Sequence, residues 1–392
     1  MIVRLASATL FALIPLYGTF AELDPARPPI PFLLPKPVVA LVALLALAAL
    51  AAVAPAGVRA ARRSWLTFAF VSGGLATLLS AVTGFDPVPG IGLGLLVTGF
   101  GLAGLALAAD RQAQVWSIRA FLWSALVAAL LALAMVALRR PAAIYAYDNG
   151  RAVGTFLNPN ELAAYTLVAL ACALPLAVVS RGRDRLAVAA STALAVALAA
   201  TFSRWGLLSA VCGVAAFAAS VRNRRLLAAA AVLACGGLLL NGALGALHHN
   251  PRDTEAREPA WRTGWTTFER FPLLGVGPLA YGKTYDVLRP PAAPGPQTPV
   301  AFDPHSLPLA FAADGGIVAV IVLVISGVTL QRSIYRGAAA AAPRARALAL
   351  GLAAGLIALY VECLINTISI VFPLGFGAAA LALGALRDDD AA

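Results

Sequence analysis

Residues 119–138 read RAFLWSALVAALLALAMVAL, and after the single arginine no charge follows until the stretch ends. At 1.5 Å per residue a helix of this length covers roughly 30 Å, the thickness of a bilayer's hydrocarbon core. Runs of the same kind recur at 2–20, 37–55, 65–83, 90–109, 160–179, 186–202, 204–220, 226–246, 305–330, 347–368 and 370–386. The whole chain of 392 residues is 61% hydrophobic and 12% charged, with a mean hydropathy of +0.85. A soluble domain has no use for so much apolar surface, so the predicted fold is an all-α membrane protein, a bundle of about 12 transmembrane helices. Ala and Gly dominate the runs; small residues let helices approach closely where lipid offers no hydrophobic drive for packing.

The net charge of +11 is not a nucleic-acid signal. The arginines cluster in short loops between apolar runs, and no basic and aromatic pattern on a soluble domain accompanies them. Arg59, Arg62, Arg63, Arg111, Arg119, Arg181, Arg183, Arg185, Arg222, Arg224, Arg225, Arg332, Arg336, Arg344 and Arg346 all fall on one side of the predicted spans. By the positive-inside rule that side is cytoplasmic, and both termini lie there. The loop 139–159, the 202–204 turn, the loop holding Glu22, Asp24 and Arg27, and the long segment 247–304 then face outward. The organisation is 1–246 for helices one to nine, 247–304 for a large outer loop, 305–386 for three more helices and 387–392 for a solvated tail. Arg4 followed by an apolar run imitates a signal peptide, but no small-residue cleavage site stands out, and the run is read as the first span. Cys172, Cys212, Cys235 and Cys363 are scattered through apolar runs with no CxxC spacing, so they are expected to be buried free thiols.

The outer segment holds the chemistry. Trp261, Trp265 and Phe268 are spaced to share one helix face, suited either to the headgroup zone or to plain packing. Arg257 lies one turn before Trp261. Phe271-Pro-Leu-Leu-Gly275-Val-Gly277 ends that helix in a sharp turn whose glycines permit positive φ or close approach; no strand precedes it, so it is not a nucleotide loop. Pro290 to Pro299 reads as an extended connector. His305, after Phe302-Asp303-Pro304, opens the next span. Its imidazole could take a proton from a hydroxyl near neutral pH, or it could cap the exposed helix start. His248 and His249 at the edge of a span read as interface anchors. Three histidines without spaced carboxylate partners do not make a metal site, and no cofactor is implied.

Other polar residues interrupt the apolar runs. Arg151 precedes Asn158-Pro159-Asn160, where the asparagines suit helix capping. Arg204 stands between two apolar runs with almost no loop, a costly place for a guanidinium unless an anion or a cavity compensates. Converging arginines can hold a diphosphate by paired hydrogen bonds. Glu362 and Asn366 lie one turn apart in an apolar run; ion pairing and a place in the site are equal readings for Glu362.

The series Arg151…Gly154…Phe156…Asn158-Pro-Asn160-Glu-Leu-Ala, Ser203-Arg204, Arg257…Trp261…Phe271-Pro-Leu-Leu-Gly275-Val-Gly277 and His305 before Asp314-Gly-Gly316 resembles the O-antigen ligase/polymerase superfamily of bacterial membrane glycosyltransferases. The resemblance covers roughly 140–386. It implies a GT-C-like bundle of about twelve spans with a large periplasmic loop between the ninth and tenth, in the bacterial inner membrane. It also implies an undecaprenyl-diphosphate-linked glycan as donor, a periplasmic His as base and arginines on the diphosphate, with no metal. Carried over, His305 matches the base and Arg204 and Arg257 the arginines, with Arg151 a looser match; Ser306, Asn160, Trp261 and Glu362 are supporting candidates. Ser306 stands where the family usually has Asn, and Asp314 where Glu is common.

The expected function is metal-independent, inverting transfer of the glycan to a hydroxyl of lipid A–core at the periplasmic face. The same motifs fit an O-antigen polymerase, passing the glycan to another glycan, or a protein O-oligosaccharyltransferase. A transporter or flippase of an anionic solute or lipid-linked sugar is the reading from a different class. Against it stand the absence of an internal repeat and the nearly pure Ala, Leu and Val of the inner half of the spans. The expected partners are the lipid-linked glycan, its acceptor and membrane lipid, with no nucleic acid.

Overall fold

The computed structural model describes residues 1–17, 110–156, 158–222, 224–248, 257–291, 303–366 and 371–386, and some positions between 74 and 91. Among the described residues there is no strand. The helices run α1 (Ile2–Tyr17), α2 (Arg111–Leu138), α3 (Ala142–Tyr147), α4 (Pro159–Val179), α5 (Arg185–Ala200), α6 (Arg204–Ser220) and α7 (Arg224–His248). They continue with α8 (Arg257–Arg270), α9 (Tyr281–Leu288), α10 (Leu307–Ala340), α11 (Pro343–Cys363) and α12 (Val371–Leu386). By length and composition α2, α4, α10 and α11 can cross a membrane, and α1, α5, α6 and α12 are shorter apolar helices. The expected span 37–55, all of 90–109 beyond residue 91, and most of 65–83 lie outside the described residues. So do Glu22, Asp24, Arg27, Arg59, Arg62, Arg63, His249, residues 292–299 of the connector and the tail.

Polar caps set the helix starts. Asp110, Asn158, Asp184 and Ser203 each accept from backbone N–H groups of the first turn, groups with no partner inside the helix. The helix expected over 119–138 starts earlier, because Asp110 caps it and the polar first turns propagate it. Arg119 therefore sits on a helix face, where it pairs with Asp184 at 2.7 Å. Burial pushes the Asp184 carboxyl up, but the bonds from Arg119 and Ala187 more than offset this and hold it below its ordinary range. The span expected over 305–330 begins at Leu307, runs to Ala340 and kinks at Gly316, where φ is 62° and ψ −163°.

α4 and α11 form the centre of the bundle. Gly351 and Gly355 of α11 lie so near α4 that an added Cβ would come within 2.4 Å of Pro175 and of Ala171. Gly213 brings α6 onto α11 in the same way, with Ala358 at 3.0 Å. Phe121 and Phe156 close on Tyr165 with ring centroids 5.7 and 5.0 Å apart. Among the cysteines Cys172 and Cys363 are buried, as expected, but Cys235 of α7 is exposed. An apolar helix face can meet either protein or lipid, and composition does not separate the two.

Consecutive helices joined by short turns alternate in direction, which gives the bundle two unlike ends. Arg181, Arg183 and Arg185, Arg222, Arg224 and Arg225, and Arg344 and Arg346 lie at the turns α4–α5, α6–α7 and α10–α11. The Arg119–Asp184 pair brings the first half of α2 to that same end. At the other end meet the starts of α4, α6 and α10 and the ends of α5 and α11.

Candidate functional site

The polar residues at this second end converge. After α3, Asn149 and Gly150 take positive φ (51° and 74°) and turn the chain back. Arg151 then donates from Nε to the Thr201 carbonyl at 2.8 Å. Thr201 ends α5, where carbonyls without a helical partner favour a cation. Phe202 is left-handed (φ 48°), and Ser203 caps α6 by accepting from the Gly206 N–H at 3.0 Å. The same Ser203 hydroxyl donates to Asn160 Oδ1 at 2.9 Å.

The two asparagines of Asn158-Pro-Asn160 part company. Asn158 caps α4, accepting from the Glu161 N–H at 2.9 Å. Asn160 serves a network instead. Its Oδ1 also receives Arg151 Nη2 at 3.4 Å, and its Nδ2 donates to Asn366 Oδ1 at 3.3 Å. Arg257 Nη2, from α8, donates to the same Asn366 oxygen at 3.2 Å. Asn366 Nδ2 donates to Glu362 Oε1 at 3.0 Å, and Glu362 Oε2 accepts from Ser209 at 3.1 Å. Glu362 and Ser209 are fully buried and Asn366 is 3% exposed. Five residues singled out in the sequence, Arg151, Asn160, Arg257, Glu362 and Asn366, thus belong to one cluster. Ser203, quoted in the sequence only beside Arg204, joins it, as do Ser209 and Thr201, which were not marked; a Ser or Thr in an apolar helix carries no distinguishing signal.

His305 stands just before α10. Its backbone N–H donates to Asp303 Oδ1 at 2.6 Å, its φ is 49°, and its Nδ1 lies 3.9 Å from that same oxygen. The turn orients the ring, with the Asp303 carboxylate at its Nδ1 side. The expected span start at 305 shifts to Leu307, with Ser306 at the N-cap position but making no side-chain cap bond. Helix α8 packs against this segment: a Cβ on Gly264 would lie 2.9 Å from Leu309 and 3.2 Å from Pro304. Tyr281 of α9 donates from its hydroxyl to the Ala260 carbonyl at 2.8 Å. Burial, then the Tyr285 and Asp303 charges, push its phenol up, so it stays a neutral donor.

The Phe271–Gly277 loop clasps the kink in α10. Val276 and Gly277 donate to the Ala313 and Asp314 carbonyls at 3.0 and 2.9 Å, and Ile317 donates back to Pro272 at 2.8 Å. The Asp314 carboxylate accepts from the Leu279 and Tyr281 N–H groups at 3.0 and 3.1 Å, at the start of α9. Asp314 is therefore a brace for the loop beside the site.

The remaining candidates take varied places. Arg204 is exposed in the first turn of α6 and makes no hydrogen bond or ion pair among the described residues. The buried face of α8 is Ala260, Thr263, Gly264 and Thr267, not the aromatic stripe; Trp265 is 54% exposed. Trp261 is half-buried, and its Nε1 is buried with no hydrogen-bond partner among the described residues. His248 stacks on Phe202 with ring centroids 4.1 Å apart and bonds the Asn149 carbonyl at 2.8 Å, tying α7 to two turns of the site end. Among the described residues no three His, Cys, Asp or Glu side chains are grouped as metal ligands.

Residues 189–324 match the family model for O-antigen ligase. The likeness to the O-antigen ligase superfamily is thereby shown. The matched stretch holds Arg204, Arg257, Trp261, His305 and Ser306, whereas Arg151, Asn160 and Glu362 flank it. A comparison with curated proteins gives no match.

Proposed function

We propose that the chain is a membrane glycosyltransferase that moves a glycan from an undecaprenyl-diphosphate carrier to a hydroxyl of lipid A–core at the periplasmic face. The observation that carries the reading is the convergence of Arg151 and Arg257 on one asparagine pair at the bundle end to which His305 also belongs. His305 takes the proton of the acceptor hydroxyl as that oxygen attacks the anomeric carbon. The bond from the anomeric carbon to the diphosphate oxygen breaks, and the electron pair leaves with the lipid diphosphate. Arg151, Arg257 and the exposed Arg204 hold the diphosphate and stabilise the charge that grows on it. Attack opposite the leaving group inverts the anomeric centre. Ser306, beside the base, and Trp261, one turn from Arg257, border the acceptor and donor. No metal enters the scheme.

Purified protein mixed with undecaprenyl-diphosphate glycan and lipid A–core in EDTA tests this. The expected product is a conjugate that disappears in His305→Ala while donor binding remains. A conjugate formed equally by His305→Ala removes His305 from the mechanism. Longer lipid-linked chains in place of the conjugate would assign polymerase activity, and a glycosylated protein acceptor the protein O-oligosaccharyltransferase reading.

A further inference from the structure

We propose that Asn366 is a positioning residue that holds Arg151 and Arg257 as a pair facing the diphosphate, with Glu362 fixing the orientation of its amide. The inference rests on the proposed function and goes further by saying what sets the spacing of the two cations.

The direction of the Asn366 amide follows from its partners. Arg257 is donor-only, so the atom 3.2 Å from its Nη2 is the carbonyl oxygen. With the oxygen assigned, the amide atom 3.0 Å from Glu362 Oε1 is the nitrogen, which donates to it. The remaining contact, Asn160 Nδ2 to Asn366 Oδ1 at 3.3 Å, completes an amide–amide bridge between the two arginines. Ser209 satisfies the second Glu362 oxygen at 3.1 Å, so the carboxylate cannot turn without losing a buried bond. Arg257 belongs to α8, which lies outside the apolar helices, whereas Asn160 and Glu362 belong to α4 and α11. The bridge therefore joins a helix of the polar segment to the rigid centre of the bundle. A guanidinium fixed in advance loses less entropy when its anion arrives.

The full chain in detergent, probed with undecaprenyl diphosphate and undecaprenyl monophosphate, tests the assignment. Asn366→Ala is expected to weaken diphosphate binding roughly tenfold, as loss of a bond to a charged group predicts. It should raise the donor KM more than it lowers kcat. Because Asn366 bonds Arg257 directly and reaches Arg151 only through Asn160, the same change in an Arg257→Gln background should weaken binding much less than in the unaltered protein. Asn366→Asp keeps the volume but puts a carboxylate beside Glu362 and pairs Arg257 within the protein, offsetting the charge meant for the diphosphate, and should weaken binding more than Ala does. Additive effects of Asn366→Ala and Arg257→Gln, or unchanged binding by a folded Asn366 variant, would overturn the inference alone. Variants that lose only folded protein, with normal KM in the folded fraction, would also overturn it. Failure of the unaltered protein to bind undecaprenyl diphosphate would overturn both the inference and the reading beneath it.

Discussion

At the scale of single residues, two side chains near the site separate function from stability. A buried N–H without a partner costs about 1–3 kcal/mol, and Trp261 Nε1 is such a group among the described residues. If a substrate oxygen is its partner, Trp261→Phe removes an unsatisfied donor from the free protein. The expected result is unchanged or slightly higher thermal stability with a several-fold rise in donor KM; equal KM would leave the indole as packing. Asp303 offers a second separation. Asn in its place can still accept the His305 N–H, now at 2.6 Å, and so keeps the turn while removing the charge beside the imidazole. Asp303→Asn is expected to lower kcat roughly tenfold, a part of the ~100-fold or more that a general base supplies, with KM little changed. A variant as fast as the unaltered protein would mean that only the turn matters. Asp303 was visible in the sequence as a neighbour of His305, but only the left-handed turn at His305 shows its carboxylate 3.9 Å from the ring's Nδ1.

At the scale of elements, the site is framed by a clasp between two glycine-bearing segments. A Cβ on Gly275 would lie 2.3 Å from the Asp314 carbonyl carbon, and one on Gly316 would lie 2.3 Å from the Leu273 backbone. Gly316 also adopts φ 62° and ψ −163°, a region open essentially to glycine alone, which costs another residue about 1–3 kcal/mol before any clash. Gly316→Ala should therefore shorten the half-life to thermal inactivation in detergent severalfold and lower activity with it. A variant as durable as the unaltered protein would show that the loop can leave the kink freely. The sequence marked Gly275-Val-Gly277 as a turn allowing close approach, and that much is legible from local chemistry. Its partner was not: Asp314-Gly-Gly316 lies some forty residues on, and only tertiary packing makes the two meet. The aromatic stripe of α8 was legible as a stripe, but its spacing could not say whether it faced protein or the surroundings, and the structure buries the small residues instead.

At the scale of the whole molecule, apolar runs were enough to locate α4, α5 and α6 within two residues of their observed bounds, because lipid demands uninterrupted helical hydrogen bonding. The segregation of charge was legible too, since loop arginines follow a topological bias that needs no packing information. What no periodicity carried is that Arg151, Arg257 and Glu362, far apart in the chain, share one hydrogen-bond network. The network lies at the end opposite the arginine-rich turns, and this fixes a testable consequence. If those turns are cytoplasmic, the network faces the periplasm, the side where a lipid-linked glycan could meet lipid A–core. Alkaline phosphatase inserted within 292–299 should then be active in cells, and a fluorescent protein fused after Leu386 should fluoresce, since α11 ends at the network's side and α12 returns the chain. The reverse pattern would put the arginine pair on the cytoplasmic face. Periplasmic transfer would then fail even if every residue at the site were correctly assigned, and a carrier taking up an anionic lipid from the inner leaflet would become the better reading.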